Sequence, residues 1–537
     1  MLKDLSVEAP VSLSMSTYTG QWTIAEAAHL LRRTMFGPTY QQIQDCVSNG
    51  MNASVTSLLT IPVINPPIAT SPDETIAPFG TTWVNSVYPS GDTQPTENAR
   101  VYSLAAWTMK KINEENFSIA EKMCLFWQNH FAAELAFDSR ATYNYHQLIR
   151  TYALGDFKEL IKKITIDPTM LIFLNGVSNQ FFSPNENYAR ELLELYTIGK
   201  GPLVTTGDYT NYKEEDIAQS AKILTGWTID GLRSTIITKP VAVFNPAYHD
   251  NTTKTLSSRF GGTVINPAGS TEYENYIDVI FQQTEVANFI CKKIYRFFVN
   301  YEITSDVEAN VIPVLAQTFI QNNYKVLPVM QQLLTSDHFY DVALRGTIIK
   351  NPLETIFSML NTSQSKPTFD NVTNQKMYIT VYSYAQTLGM SYLSPPNVGG
   401  WPAYYQAPSF SRLWINSTFL KQRFQIGAYI SILTGIPVSG NHFKINALQL
   451  VDGLSNPSVA QDVIDDLCVI FFPKSMDVGT KTTLKAVLLN GLQDFEWSVQ
   501  YSAYLNDKGN LTLSNPIRTR IEAVLYQIFQ LPEFQTI

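Results

Sequence analysis

The chain has 537 residues, enough for three or four units at about 150 residues each and for a large core without disulfide or metal staples. Hydrophobic residues make up 45% and charged ones only 16%, the latter well below the usual quarter or so. A net charge of −8 excludes an ordinary nucleic-acid surface, which needs a basic face to displace counterions, and no apolar run of about 18 residues is present to span a bilayer.

Asn, Thr, Ser and Gln fill the place of the missing charges, and 28 Tyr with 29 Phe supply bulk. Such a surface fits an extracellular or partner-bound protein. The start, Met1 to Leu5, lacks a basic region followed by an apolar stretch, so no signal peptide is visible. The expectation is either a cytosolic chain or a mature form of an exported one. The cysteines Cys46, Cys124, Cys291 and Cys468 have no CxxC spacing and read as small buried hydrophobes.

Residues 1–20 are polar and aperiodic and read as an N-terminal arm; residues 21–537 read as one large helical domain. Ile24 to Met35 has helical spacing that Gly37-Pro38 breaks. Thr39 with Gln42 is a capping-box pattern, and Ser118/Glu121, Thr271/Glu274 and Ser305/Glu308 repeat it. Residues 61–97, rich in Pro, Ser, Thr and Gly, read as a long loop, and 228–268 as another. Within the second, Ser234 to Val243 and Phe260 to Ile265 have the β-branched character of a small hairpin. Further helices are expected near 98–113, 325–336, 352–361, 372–388, 417–434, 458–471 and 515–530. The basic run Lys292, Lys293, Arg296 lies in an apolar helical segment and reads as a solvated stripe. The predicted fold class is mainly α: a large multi-helix array with long loops and at most a small β-hairpin.

Several segments could carry chemistry. In Asn185 to Gly199, Asn185 suits a helix N-cap and Gly199 the left-handed position past the end. Glu186, Arg190 and Glu194 stand four apart, so one arginine can touch two carboxylates. Glu186 or Glu191 could be a general acid or base tuned by Arg190; a structural Glu-Arg-Glu ladder explains the pattern equally. In Phe126 to Phe131, His130 among large aromatics could be a catalytic imidazole or a satisfied core histidine. In the loop Phe244 to Asp250, His249 and Asp250 could form an acid/base pair or take a divalent cation, and loop caps account for them as well. In Ser394 to Pro402, Asn397 and Trp401, with Trp414 beyond, could line a groove as platforms for a sugar, or simply pack under a rigid loop. GxSxG, Walker A, GxGxxG and HExxH motifs are absent, which removes the commonest hydrolase, NTPase and zinc-protease readings.

Together these segments resemble the bacterial domain-of-unknown-function family 1800 (DUF1800). The resemblance rests on Ala27 to Gly37, Phe126 to Phe131, the NENYARELLEL string at Asn185 to Leu195, Ile223 to Trp227, the His249-Asp250 loop, Pro395 to Trp401 and Leu531 to Phe534. It implies an exported or surface-associated protein acting with a companion of sulfatase-like or phosphatase-like fold. Many members read FWHNHF, and here Gln128 stands at the first histidine position, which weakens a paired-histidine metal site. Two functions follow as expectations: a scaffold or complex component, or a hydrolase or lyase on a polymer, carbohydrate among the options, using a Glu/His acid–base pair. No cofactor is expected beyond the divalent cation that Asp250 could hold. Convergence of Glu186, Glu191 and His130 on one open cleft would mark the enzyme.

Overall fold

The computed structural model describes residues 11–134 and 137–537. Apolar residues recurring at helical spacing bury one stripe per helix against its neighbours, and the described chain is mainly helical with only two-stranded antiparallel sheets. Helix Ile24–Thr34 packs on Tyr40–Asn49 and Ala460–Phe471; the long helix Gln94–Asn113 lies along Asn371–Thr387; Leu511–Gln530 carries Ser417–Ser431 and Val478–Leu489. Their inward faces join a hydrophobic core that runs from Ala27 to Phe534.

The expected helices stand where the periodicity puts them, at Val326–Leu334, Pro352–Leu360, Asn371–Thr387, Ser417–Ser431, Ala460–Phe471 and Leu511–Gln530. Their caps are partly different. Thr39–Gln42 forms its box, but Ser118 turns its hydroxyl to the Ala120 amide while Glu121 pairs with Arg150. Thr271 makes no side-chain cap, and Thr304 rather than Ser305 caps Ser305–Asn310, leaving Glu308 to Lys292. For Glu121 and Glu308 a long-range ion pair claims the glutamate that a local box would use.

The stretch expected as one hairpin is two. Trp227–Asp230 pairs with Val241–Phe244, and Lys254–Thr255 with Val264–Ile265. Ser234 to Pro240 forms the turn of the first, because Gly231 and Arg233 at positive φ reverse the chain there. The described part of the N-terminal arm is docked: Tyr18 N donates to Thr335 O at 2.8 Å and His338 N to Ser14 O at 2.9 Å. The loop before Gln94 is also packed, with Trp83 buried and its indole N–H donating to Ser103 Oγ at 2.9 Å. All four cysteines are buried and free.

Two elements set up the site. Helix Ala120–His130 is buried on nearly every side; its charges are tolerated because Glu121 and Lys122 meet Arg150 and Glu354. Helix Glu285–Phe298 buries Val286, Ala287, Ile290, Cys291, Ile294, Tyr295, Phe297 and Phe298. The stripe left over, Phe289, Lys292, Lys293 and Arg296, therefore points away from the core at i, i+3, i+4 and i+7.

Candidate functional site

That leftover stripe faces a cleft of about 190 Å³ rather than open solvent. Four segments far apart in sequence close around it: Phe126, Asn129 and His130; Glu194 and Leu195; Phe289 to Phe297; and Gly399, Tyr404 and Tyr405. The first, second and fourth of these segments carry the Phe126–Phe131, Asn185–Leu195 and Pro395–Trp401 motifs. The cleft opens beside Tyr405, which is 44% exposed.

The geometry of each wall follows from local structure. Asn185 caps helix Glu186–Glu191 by accepting from Asn187 N at 2.9 Å. The helix then widens into a π-helical turn, Leu192–Thr197, a feature often found at functional sites. The helix ends there, so the carbonyls of its last turn lack intrahelical partners, and two of them serve the cleft: Leu195 O and Tyr196 O. On the other side, Gly400 at φ +86° lets the loop backbone lie directly on Asn129, whose Oδ1 accepts from Trp401 N at 2.9 Å. A β-carbon at Gly400 would overlap the side-chain and carbonyl oxygens of Asn129.

The chemistry centres on His130 and Lys293. The imidazole Nε2 lies 3.1 Å from Tyr196 O, and Nδ1 lies 3.1 Å from Lys293 Nζ. A carbonyl can only accept, so Nε2 carries the proton and Nδ1 offers its lone pair to the lysine. Lys293 Nζ also donates to Leu195 O at 2.9 Å. As a neutral amine, Lys293 thus has both N–H bonds engaged and one tetrahedral position, its lone pair, left over. Burial first, and the Arg296 charge next, push the Lys293 amine down to about 7. Burial and then Lys293 hold the His130 imidazolium well below its usual range. Neighbouring Lys292 is held by Glu308 at 2.6 Å. Arg296 has no ion pair among the described residues, and its buried Nε has no hydrogen-bond partner; its guanidinium lies over the Phe410 ring at 5.5 Å.

Residues 29–536 match the model of the family described as a protein of unknown function, DUF1800. The chain belongs to that family. No curated protein and no solved structure gives a significant match.

Of the site residues expected from sequence, the DUF1800 cleft contains His130. Glu186 and Glu191 are not among its lining residues; Glu194, one turn on, is. Arg190 does reach Glu186 and Glu194, at 3.8 and 3.5 Å. Its main partner is Glu214, met by two nitrogens at 2.9 and 2.7 Å, so it clamps helix Glu186–Glu191 to helix Glu214–Ile223 rather than tuning an acid. Trp401 and Trp414 are buried rather than standing as exposed platforms, and neither lines this cleft. Asn397 shapes the loop, accepting from Gly399 N at 2.8 Å and donating to Tyr405 Oη at 3.1 Å.

His249 and Asp250 sit in a buried network elsewhere. His249 Nε2 lies 3.0 Å from Glu272 Oε2, and Lys254 Nζ lies 2.6 Å from Glu272 Oε1 and 3.7 Å from Asp250 Oδ1. The lysine ammonium takes the position a cation would need, and among the described residues no group of His, Cys, Asp and Glu is arranged to hold a metal. No described helix is long and apolar enough to cross a membrane.

The residues that sequence reasoning missed are Lys293 and Arg296. Their spacing is that of an ordinary solvated stripe; only the loop at 399–405, about a hundred residues later, turns it into a wall. One signal was present: Phe289, an aromatic on the polar side of the helix, at helical spacing with both.

Proposed function

We propose that this DUF1800 protein is an enzyme of the lyase class, acting at the His130–Lys293 cleft on a small substrate that carries an anionic group. The observation behind this reading is the hydrogen-bonding of Lys293 Nζ: both N–H bonds are tied to fixed acceptors and the lone pair is the remaining valence. A general base is most effective with a pKa near the working pH, and an amine at about 7 meets that. His130 positions it, and Arg296, without a counter-ion, receives the anionic group. Among the described residues Glu194 is the sole carboxylate lining the cleft, which argues against the paired-carboxylate chemistry of glycosidases. The volume, below the ~300–1,000 Å³ of drug-sized pockets, suits a small molecule or one chain-end unit rather than a stretch of polymer.

Proton abstraction can be read directly. Incubation in heavy water with a panel of carbon acids (pyruvate, malate, galacturonate) is expected to give deuterium incorporation, by mass spectrometry, into at least one of them. Lys293→Met should slow it by about 10² or more. Exchange undiminished in that variant, or absent from every compound, contradicts the reading.

A second reading, an exported or surface-associated component working with a sulfatase-like or phosphatase-like companion, draws on another observation. Phe181 and Phe182 are 49% and 65% exposed with their rings edge to face at 5.2 Å, and Phe181 N donates to the backbone carbonyl of half-exposed Tyr248 at 2.9 Å. Clustered exposed aromatics suit a protein contact. Phe182→Ser should abolish co-sedimentation with such a companion, and cell fractionation should find the chain outside the cytoplasm; unchanged co-sedimentation or a cytoplasmic location counts against this role.

A further inference from the structure

We infer that Lys293 is a covalent nucleophile toward carbonyl compounds, and that the cleft takes a 2-oxo acid whose carbonyl carbon forms an imine with Lys293 Nζ and whose carboxylate is met by Arg296. This rests on the proposed enzyme reading and names its substrate class. Three features carry it. The Nζ lone pair is the only valence of the amine not committed to Leu195 O or His130 Nδ1, so an electrophile entering the cleft meets it first. Arg296 stands one helical turn beyond, on the same face and on the wall of the same cleft. Its Nε is buried without a partner, and a guanidinium in that state has N–H bonds ready to donate to a planar carboxylate. Phe126, Phe289, Phe297 and Tyr404 give the cleft aromatic walls, and an environment poorer in water favours dehydration to the imine.

The step balances without any oxidant. Nζ donates its lone pair to the carbonyl carbon, forming the C–N bond as the C–O π pair moves to oxygen. Nδ1 of His130, hydrogen-bonded to Nζ, relays both protons that the nitrogen gives up. The first turns the alkoxide into a hydroxyl, and the second lets that oxygen leave as water as the nitrogen pair closes the C=N bond. Amine plus carbonyl give imine plus water.

Sodium borohydride delivers hydride to an imine carbon and fixes it as a secondary amine. The full-length protein with pyruvate, then borohydride, followed by peptide mass mapping, should show the adduct on Lys293 and not on Lys292, which Glu308 holds. Arg296→Ala should raise the pyruvate concentration for half-modification roughly tenfold or more, and by a larger factor than it raises that of neutral acetaldehyde; equal factors for the two would overturn the carboxylate role of Arg296. Lys293→Arg, checked for folding by circular dichroism, should give no adduct. Equal labelling of Lys292 and Lys293, or no adduct at saturating pyruvate, overturns the inference. If deuterium exchange nevertheless depends on Lys293, the imine alone is wrong and the general base stands; if both fail, the enzyme reading falls with it.

Discussion

A lysine amine near 7 and a carboxyl pushed up to about 8 leave opposite marks on stability. Lys293 binds fewer protons folded than unfolded between about 7 and the ordinary lysine value, so its contribution to stability climbs with pH across that window. Lys293→Met removes that slope. Its stability relative to the native chain should be greatest below pH 7 and decline toward pH 10, as followed by urea melts at several pH values. Glu115 is half-buried as a residue, but its carboxyl points inward, accepting from Phe36 N at 2.6 Å with its other oxygen buried and unpartnered. Burial raises its carboxyl to about 8, so the folded state holds the proton longer and stability falls as pH rises from the ordinary carboxylate range to 8. Glu115→Gln keeps the shape and deletes the titration. It should match the native chain near pH 5 and exceed it at pH 8; a parallel fall in both would contradict the assignment.

At the scale of elements, the cleft depends on one loop backbone resting on one helix. Gly400→Ala meets both a left-handed φ and the Asn129 oxygens, so a cost above the ~1–3 kcal/mol of a strained residue is expected. Thermal melts should show it, and borohydride trapping at Lys293 should weaken as the loop lifts. A variant as stable as the parent would mean that the loop is not held there. The same elements show how far the sequence can be read. Periodicity places the helices because burying one stripe per turn is a local constraint; Asn185 and Gly199 mark the ends of their helix for the same reason, through cap chemistry and positive φ. Glu121, Glu308 and Arg190 could not be placed, because their partners Arg150, Lys292 and Glu214 come from other helices. His130 stood out as a lone polar ring among aromatics. Lys293 did not, since its desolvation depends on residues 399–405, and the π-helical turn that carries Leu195 O and Tyr196 O has no compositional sign.

Across the whole molecule, the two ends of the described chain are tied into the body that holds the cleft. The arm at 12–18 follows Thr335 to Asp341, and the C-terminal residues pair with 348–350, where Lys350 N donates to Gln535 O at 2.8 Å. Arg423 joins them, donating to Lys350 O at 2.7 Å and Gln535 Oε1 at 3.2 Å. Phe534 is fully buried there, and Phe534→Ala should cost about 3–5 kcal/mol by chemical denaturation without altering which lysine borohydride traps. A loss of under about 1 kcal/mol would show that this end is not part of the core.

The central claim is that Lys293 gives up its proton near neutral pH and then presents its lone pair to the cleft, and nitrogen-15 NMR titration of the lysine Nζ groups, with Lys293→Arg to assign the signal, addresses it most directly. The structure predicts that Lys293 titrates near 7, far below Lys292. A Lys293 signal that stays protonated until pH 10, alongside the other lysines, would contradict it.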